Sequence, residues 1–155
     1  MFKKMLVATD LSSASEQVVC ALGSLKKLGT DEAVLINCFN IRDVGTLAPG
    51  LMELSKPAFQ KQQKQLEEMG FKVTAEMVLG LPQIEINRQA VKHECSFMVV
   101  GSHGHNMSGD ILLGGTASSV IRNATLPVLI LKLNGNGENG NEPPVCNFFG
   151  HALFP

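Results

Sequence analysis

Five short apolar runs, at residues 5–8, 33–39, 73–79, 97–100 and 127–133, are separated by stretches with helical spacing, and this alternation constrains the fold more than any other feature. Runs this short and unbroken suit strands covered on both faces. A helix between successive strands supplies the long connection that a parallel pair requires. The expectation is an α/β fold with five parallel strands and helices on both faces of the sheet. In open sheets of that kind, ligands lie beyond the carboxyl ends of the strands, where the strand order reverses.

The helical stretches carry their own punctuation. Ser13 and Glu16 have capping-box spacing, Val18, Ala21, Leu22, Leu25 and Leu28 follow at three- to four-residue intervals, and Gly29 supplies a stop, which predicts one helix. A second helix is expected over 58–69, where Phe59, Leu66 and Met69 interrupt a Gln/Lys/Glu-rich surface before Gly70. A third opens at Pro82, a residue tolerated in a first turn, and runs toward Glu94. Between Ile41 and Pro57 the periodicity lapses, so an irregular crossover is expected, with its Leu and Met residues capping the core. A flap over a ligand site is the sharper alternative for the same stretch.

At 155 residues, with 45% apolar and 17% charged residues, the chain suits one well-buried domain, expected over 1–133. Residues 134–155 begin with a Gly/Asn tract and are expected to lie outside the core. Gly135, Gly137 and Gly140 match a dinucleotide fingerprint literally, but Pro143 and Pro144 follow too closely for a helix to open there. A net charge of −1 with scattered lysines, and no Trp or Tyr for base stacking, argues against a nucleic-acid partner. The N-terminal apolar run is too short for a signal core or a membrane span. Cys20, Cys38, Cys95 and Cys146 form no C-x-x-C pair, which fits reduced thiols in a cytoplasmic protein.

The chemistry concentrates after the fourth run. Gly101-Ser102-His103-Gly104 leaves that strand, and Gly114-Gly115-Thr116 precedes a helix from Ala117 to Ala124 with Val120, Ile121 and Ala124 on one side. Glycines let backbone N–H groups approach phosphate oxygens, and a helix N-terminus adds free donors and partial positive charge. Phosphate is the ligand class this loop suits. Asp10, just after the first run, would lie on the same rim.

With Val7-Ala8-Thr9-Asp10-Leu11-Ser12, Gly101-x2-Gly104-x9-Gly114 and the closing Leu126-Pro127-Val128-Leu129-Ile130, the chain resembles the universal stress protein family over residues 2–133. The resemblance implies a Rossmann-like five-stranded parallel sheet of order 3-2-1-4-5, like that of the adenine nucleotide alpha hydrolases. It also implies an adenine nucleotide, ATP or its relatives ADP and AMP, with Mg2+ as companion ion. Thr9 and Asp10 would meet the adenine or ribose, and the backbone at Cys38 would meet the adenine edge. Gly101, His103 and Gly104 would pass close to ribose and phosphate, and Gly114, Gly115 and Thr116 would present N–H groups to the phosphates. One departure stands out: in the ATP-binding branch the residue after Gly114 is usually Ser or Thr, and here it is Gly115. A branch that binds no nucleotide therefore stays open. In that strand order the fifth strand lies at an open edge, and an apolar edge this long is expected to pair with a second copy, giving a homodimer.

Other chemistries fit less well. His103, His105 and Asp110 fall short of a zinc ligand set. Ser102 lacks the G-x-S-x-G setting of a hydrolase nucleophile. No G-x-x-x-x-G-K-[ST] loop is present, so rapid nucleotide hydrolysis is not expected. Three readings remain: an ATP-binding regulatory module in stress response with at most slow hydrolysis, a nucleotide-free dimer acting through protein partners, and a weak ATP-dependent phosphotransferase.

Overall fold

Strand β1 (Lys4–Thr9) pairs in parallel with β2 (Glu32–Asn40) on one side and β4 (Phe97–Gly101) on the other in a computed structural model that describes residues 1–102 and 114–131. β3 (Lys72–Gly80) extends the sheet beyond β2, and β5 (Val128–Leu131) extends it beyond β4, giving the order β3-β2-β1-β4-β5. The expected fold class and strand order are both observed. Strand direction of progress reverses beside β1, so the gap between the carboxyl ends of β1 and β4 is the switch point.

The sheet separates two apolar layers. Met5, Val7, Leu35 and Val99 face α1 (Ser13–Ala21), whose Val18 and Val19 are buried, and α3 (Ala48–Glu68), which contributes Phe59 and Leu66. Leu6, Val34, Ile36, Met98 and Val100 face α4 (Pro82–Lys92) and α5 (Gly115–Arg122), through Ile86, Ala90, Ala117 and Val120. Alternation along each strand thus feeds both layers, which explains why the strands read as continuous apolar runs.

Three local expectations change. The cap of α1 is Ser12, one residue before the expected Ser13: its hydroxyl accepts from the Ser15 amide at 3.2 Å, while Glu16 pairs with Lys61 on α3 instead of reaching back. The predicted single helix to Gly29 divides, with a 3-10 segment over Leu22–Leu28 closing on Gly29 at φ 90. The stretch 41–57 is not an irregular crossover. It forms a short helix α2 (Ile41–Val44), a 3-10 turn (Gly45–Leu47) and the first half of α3, so α3 opens at Ala48 and not near 58. Nor do its leucines cap the core, since Leu47 and Leu54 are 70% and 79% exposed.

Among the described residues, no helix is long and apolar enough to cross a membrane. The fifth strand was expected to reach 133, and residues 132 and 133, like the segment 134–155, lie outside the described residues.

Candidate functional site

Beyond the carboxyl ends of β1, β2 and β4 lies a cavity of about 500 Å³. Its lining brings together Thr9, Asp10, Cys38, Gly101, Gly114, Gly115 and Thr116, all singled out in the sequence, with Asp43, Pro82 and Ile86. His103 and Gly104 fall outside the described residues. The volume lies in the range of sites that take a small organic ligand.

One wall is the turn from β1 into α1. Leu11 holds φ 61, a left-handed backbone that a bulky residue adopts only under constraint. Its amide donates to the Thr9 hydroxyl at 3.1 Å. Asp10 then accepts through Oδ1 from the Ser12 amide at 3.0 Å and from the Ser12 hydroxyl. Among the described residues both bonds to the Asp10 side chain use the same oxygen, which leaves Oδ2 as an acceptor for a ligand.

The opposite wall is the start of α5. Its cap residue Gly114 has φ −67 and ψ 160, the extended conformation of an N-cap, and among the described residues no side chain bonds to the first turn. The helix end therefore presents main-chain N–H donors and partial positive charge toward the cavity. The Gly114 amide donates to the Ser102 carbonyl at 2.8 Å, which ties the helix start to the end of β4. At Gly115 no described residue occupies the place where a Cβ would stand. An anionic group at this wall would meet main-chain donors.

The floor is mixed. Ile36, Val100 and Val120 are apolar, and Cys38 enters from β2. Burial pushes the Cys38 thiol up to about 11, and the negative charge of Glu85 adds to the shift. Cys38 is accordingly a neutral, apolar-like surface near neutral pH, suited to packing against a flat ring. Asp43, on α2, adds a second carboxylate to the lining. Sequence reasoning passed over it, although its place just after the carboxyl end of β2 was a usable signal. No Lys or Arg belongs to the described lining. Among the described residues no group of three or more His, Cys, Asp and Glu is gathered to hold a metal.

The model of the universal stress protein family matches residues 1–132. The chain belongs to the universal stress protein family. Universal stress protein MJ0577 of Methanocaldococcus jannaschii is 28% identical to it over 155 aligned positions, covering 85% of this chain and 96% of that protein. Universal stress protein MJ0531 of the same organism is 33% identical over 141 positions, covering 85% and 83%. The solved structure of MJ0577 matches with a TM-score of 0.80 at 31% identity, over 86% of this chain and 98% of that one. More distant members share the fold. One was solved in complex with cAMP (20% identity, TM-score 0.66, 84% and 97% covered), and one from Archaeoglobus fulgidus in complex with dAMP (18%, 0.63, 84% and 98%).

Proposed function

We propose that this universal stress protein is an adenine-nucleotide-binding regulatory module, taking ATP or its relatives ADP and AMP in the cavity between Asp10 and the start of α5. The observation that carries the reading is the pairing of opposite chemistries across one cavity, a carboxylate acceptor at Asp10 and a helix N-terminus at Gly114–Thr116 that no side chain among the described residues caps. Complexes of two proteins of the same fold with cAMP and dAMP support an adenine nucleotide as the ligand class.

In this reading Asp10 and Thr9 hold the ribose or adenine side, Cys38 and Ile36 pack against the base, and Gly101, Gly114, Gly115 and Thr116 face the phosphates. His103 and Gly104 complete the phosphate loop. Mg2+ would ride on the phosphates, as it commonly does where few protein carboxylates are available. The chain supplies neither a P-loop lysine nor a gathered metal cage among its described residues, so hydrolysis is slow at most.

The domain spans 1–133, and two copies associate through β5. Cys20, Cys38 and Cys95 are free thiols, which supports a cytoplasmic location. The competing reading, a nucleotide-free dimer, draws on Gly115, where a phosphate-directed hydroxyl is missing. Calorimetric titration with AMP, ADP and ATP, the last with and without Mg2+, decides between them: saturable binding is expected, and no heat at millimolar ligand would leave the nucleotide-free reading.

A further inference from the structure

Gln62 lies in the middle of α3, only 4% exposed, and takes no part in the cavity lining. Its polar atoms are nevertheless directed at the rim. The Thr9 hydroxyl donates to Gln62 Oε1 at 2.7 Å, and Gln62 Nε2 donates to Ser15 Oγ at 3.4 Å. The Ser15 hydroxyl in turn donates to the Ser12 carbonyl at 2.8 Å. From β2, Asn37 Nδ2 donates to the Thr9 carbonyl at 2.9 Å. Thr9, Ser12, Ser15, Asn37 and Gln62 are all buried, so this network lies beneath the turn that carries Asp10.

A hydroxyl has one proton to give. With that proton committed to Gln62, the Thr9 oxygen must turn a lone pair outward, and the Leu11 amide bonds to it. Leu11 in turn holds the left-handed backbone that brings the Ser12 amide and hydroxyl onto Asp10. Without an acceptor at position 62 the hydroxyl is free to rotate, and the bond that holds the strained Leu11 weakens. The chain of dependence runs from α3 through Thr9 to the carboxylate.

We propose that Gln62 is a positioning residue for the nucleotide site, setting the orientation of Asp10 through Thr9 and the Leu11 turn; the proposal rests on the adenine-nucleotide reading of the cavity. Gln62→Leu, or Gln62→Met should the leucine variant not fold, removes the acceptor. Thr9→Val removes the hydroxyl that relays it. Calorimetry with AMP is expected to show about tenfold weaker binding for either single variant. In the Thr9→Val background the Gln62 substitution should change affinity by less than about twofold, because its route is already cut.

An unchanged affinity in the single Gln62 variant would overturn the proposal. So would an equal loss in both backgrounds, which marks a general packing effect. Amide exchange without ligand gives an independent reading: the Leu11 amide should exchange faster in the Gln62 variant than in the wild type. If the wild type binds no AMP, ADP or ATP, the nucleotide reading fails on that result alone, and unchanged Leu11 exchange would then also overturn the positioning role.

Discussion

The amide of Gly114 donates to the carbonyl of Ser102 at 2.8 Å, and the Ser102 amide donates to Leu131 at 3.0 Å. The start of α5 is thereby fixed to β4 and β5 by main-chain bonds on either side of the residues 103–113. This anchoring makes the first turn of α5 a fixed platform for substitution.

Gly115→Ser should tighten ATP binding. The Gly115 backbone is not left-handed, and none of the described residues stands within 4 Å of the position a Cβ would take, so the side chain enters without strain. One added phosphate hydrogen bond contributes about 1 kcal/mol, roughly fivefold in affinity, with thermal stability unchanged or slightly higher. Titration calorimetry beside a melting curve checks both halves, and equal affinity in the two proteins would remove position 115 from the phosphate contact.

Asp43→Asn should also favour ATP. Asp10 and Asp43 put two carboxylates in a described lining that holds no Lys or Arg. Neutralising Asp43, which is exposed and screened, should raise affinity for metal-free ATP by about two- to fivefold at low salt and leave adenosine unaffected. A parallel gain for adenosine would show that the effect is not electrostatic.

The ladder at β5 selects the residue that faces a partner chain. Met98 donates to the Pro127 carbonyl and Ser102 to the Leu131 carbonyl, so residues 127, 129 and 131 bond inward to β4, and Val128 and Ile130 direct their main-chain groups outward. If β5 is the dimer seam, Ile130→Pro should give a folded monomer, because its outward N–H serves only the partner. Leu129→Pro should instead damage the sheet and unfold the chain. Sedimentation equilibrium with circular dichroism separates these outcomes, and a dimeric Ile130→Pro protein would place the seam elsewhere.

Stability should fall at alkaline pH. Burial pushes the thiols of Cys38 and Cys95 up to about 11, above the ordinary thiol range. The folded state therefore holds both protons more tightly than the unfolded chain does. This contribution is complete below the ordinary thiol range and is lost as pH rises toward 11. Urea melts between pH 8 and 11 should slope downward more steeply for the wild type than for a Cys38→Ala, Cys95→Ala variant, and parallel slopes would contradict the assignment.

Pro57→Ala should stabilise the protein. Pro57 sits inside α3 on its exposed face, where it removes a main-chain donor and crowds the preceding turn. Replacement by the best helix former should add about 2 kcal/mol, after allowance for the greater freedom of the unfolded chain. A lower melting temperature would indicate that the proline sets a bend the packing needs.

The strands were legible because residues such as Leu6 and Val7, or Val34 and Leu35, are apolar on both faces of a doubly covered sheet. The first half of α3 was not, and the reason is chemical. Its inward strip follows positions 48, 52, 55, 59, 62 and 66, a regular helical spacing, yet Ala48, Ser55 and Gln62 are small or polar. With Pro49, Gly50 and Pro57 interspersed, the apolar signal dropped below recognition although the geometry persisted. For the site, Asp10 and the Gly101 and Gly114 segments were readable from spacing against predicted strands. Asp43 was passed over because it stands on a short helix that the sequence pattern concealed, although its place after β2 pointed to the rim. Gln62 falls in the expected 58–69 helix, but no sequence pattern directs its side chain to the Thr9 hydroxyl.

The sheet keeps its two apolar layers apart, and the cavity walls grow from different ones: the Asp10 turn from the α1 and α3 side, the Gly115 end from the α4 and α5 side. A nucleotide touching both walls would be held from both sides of the sheet at once, each side supplying one half of the site.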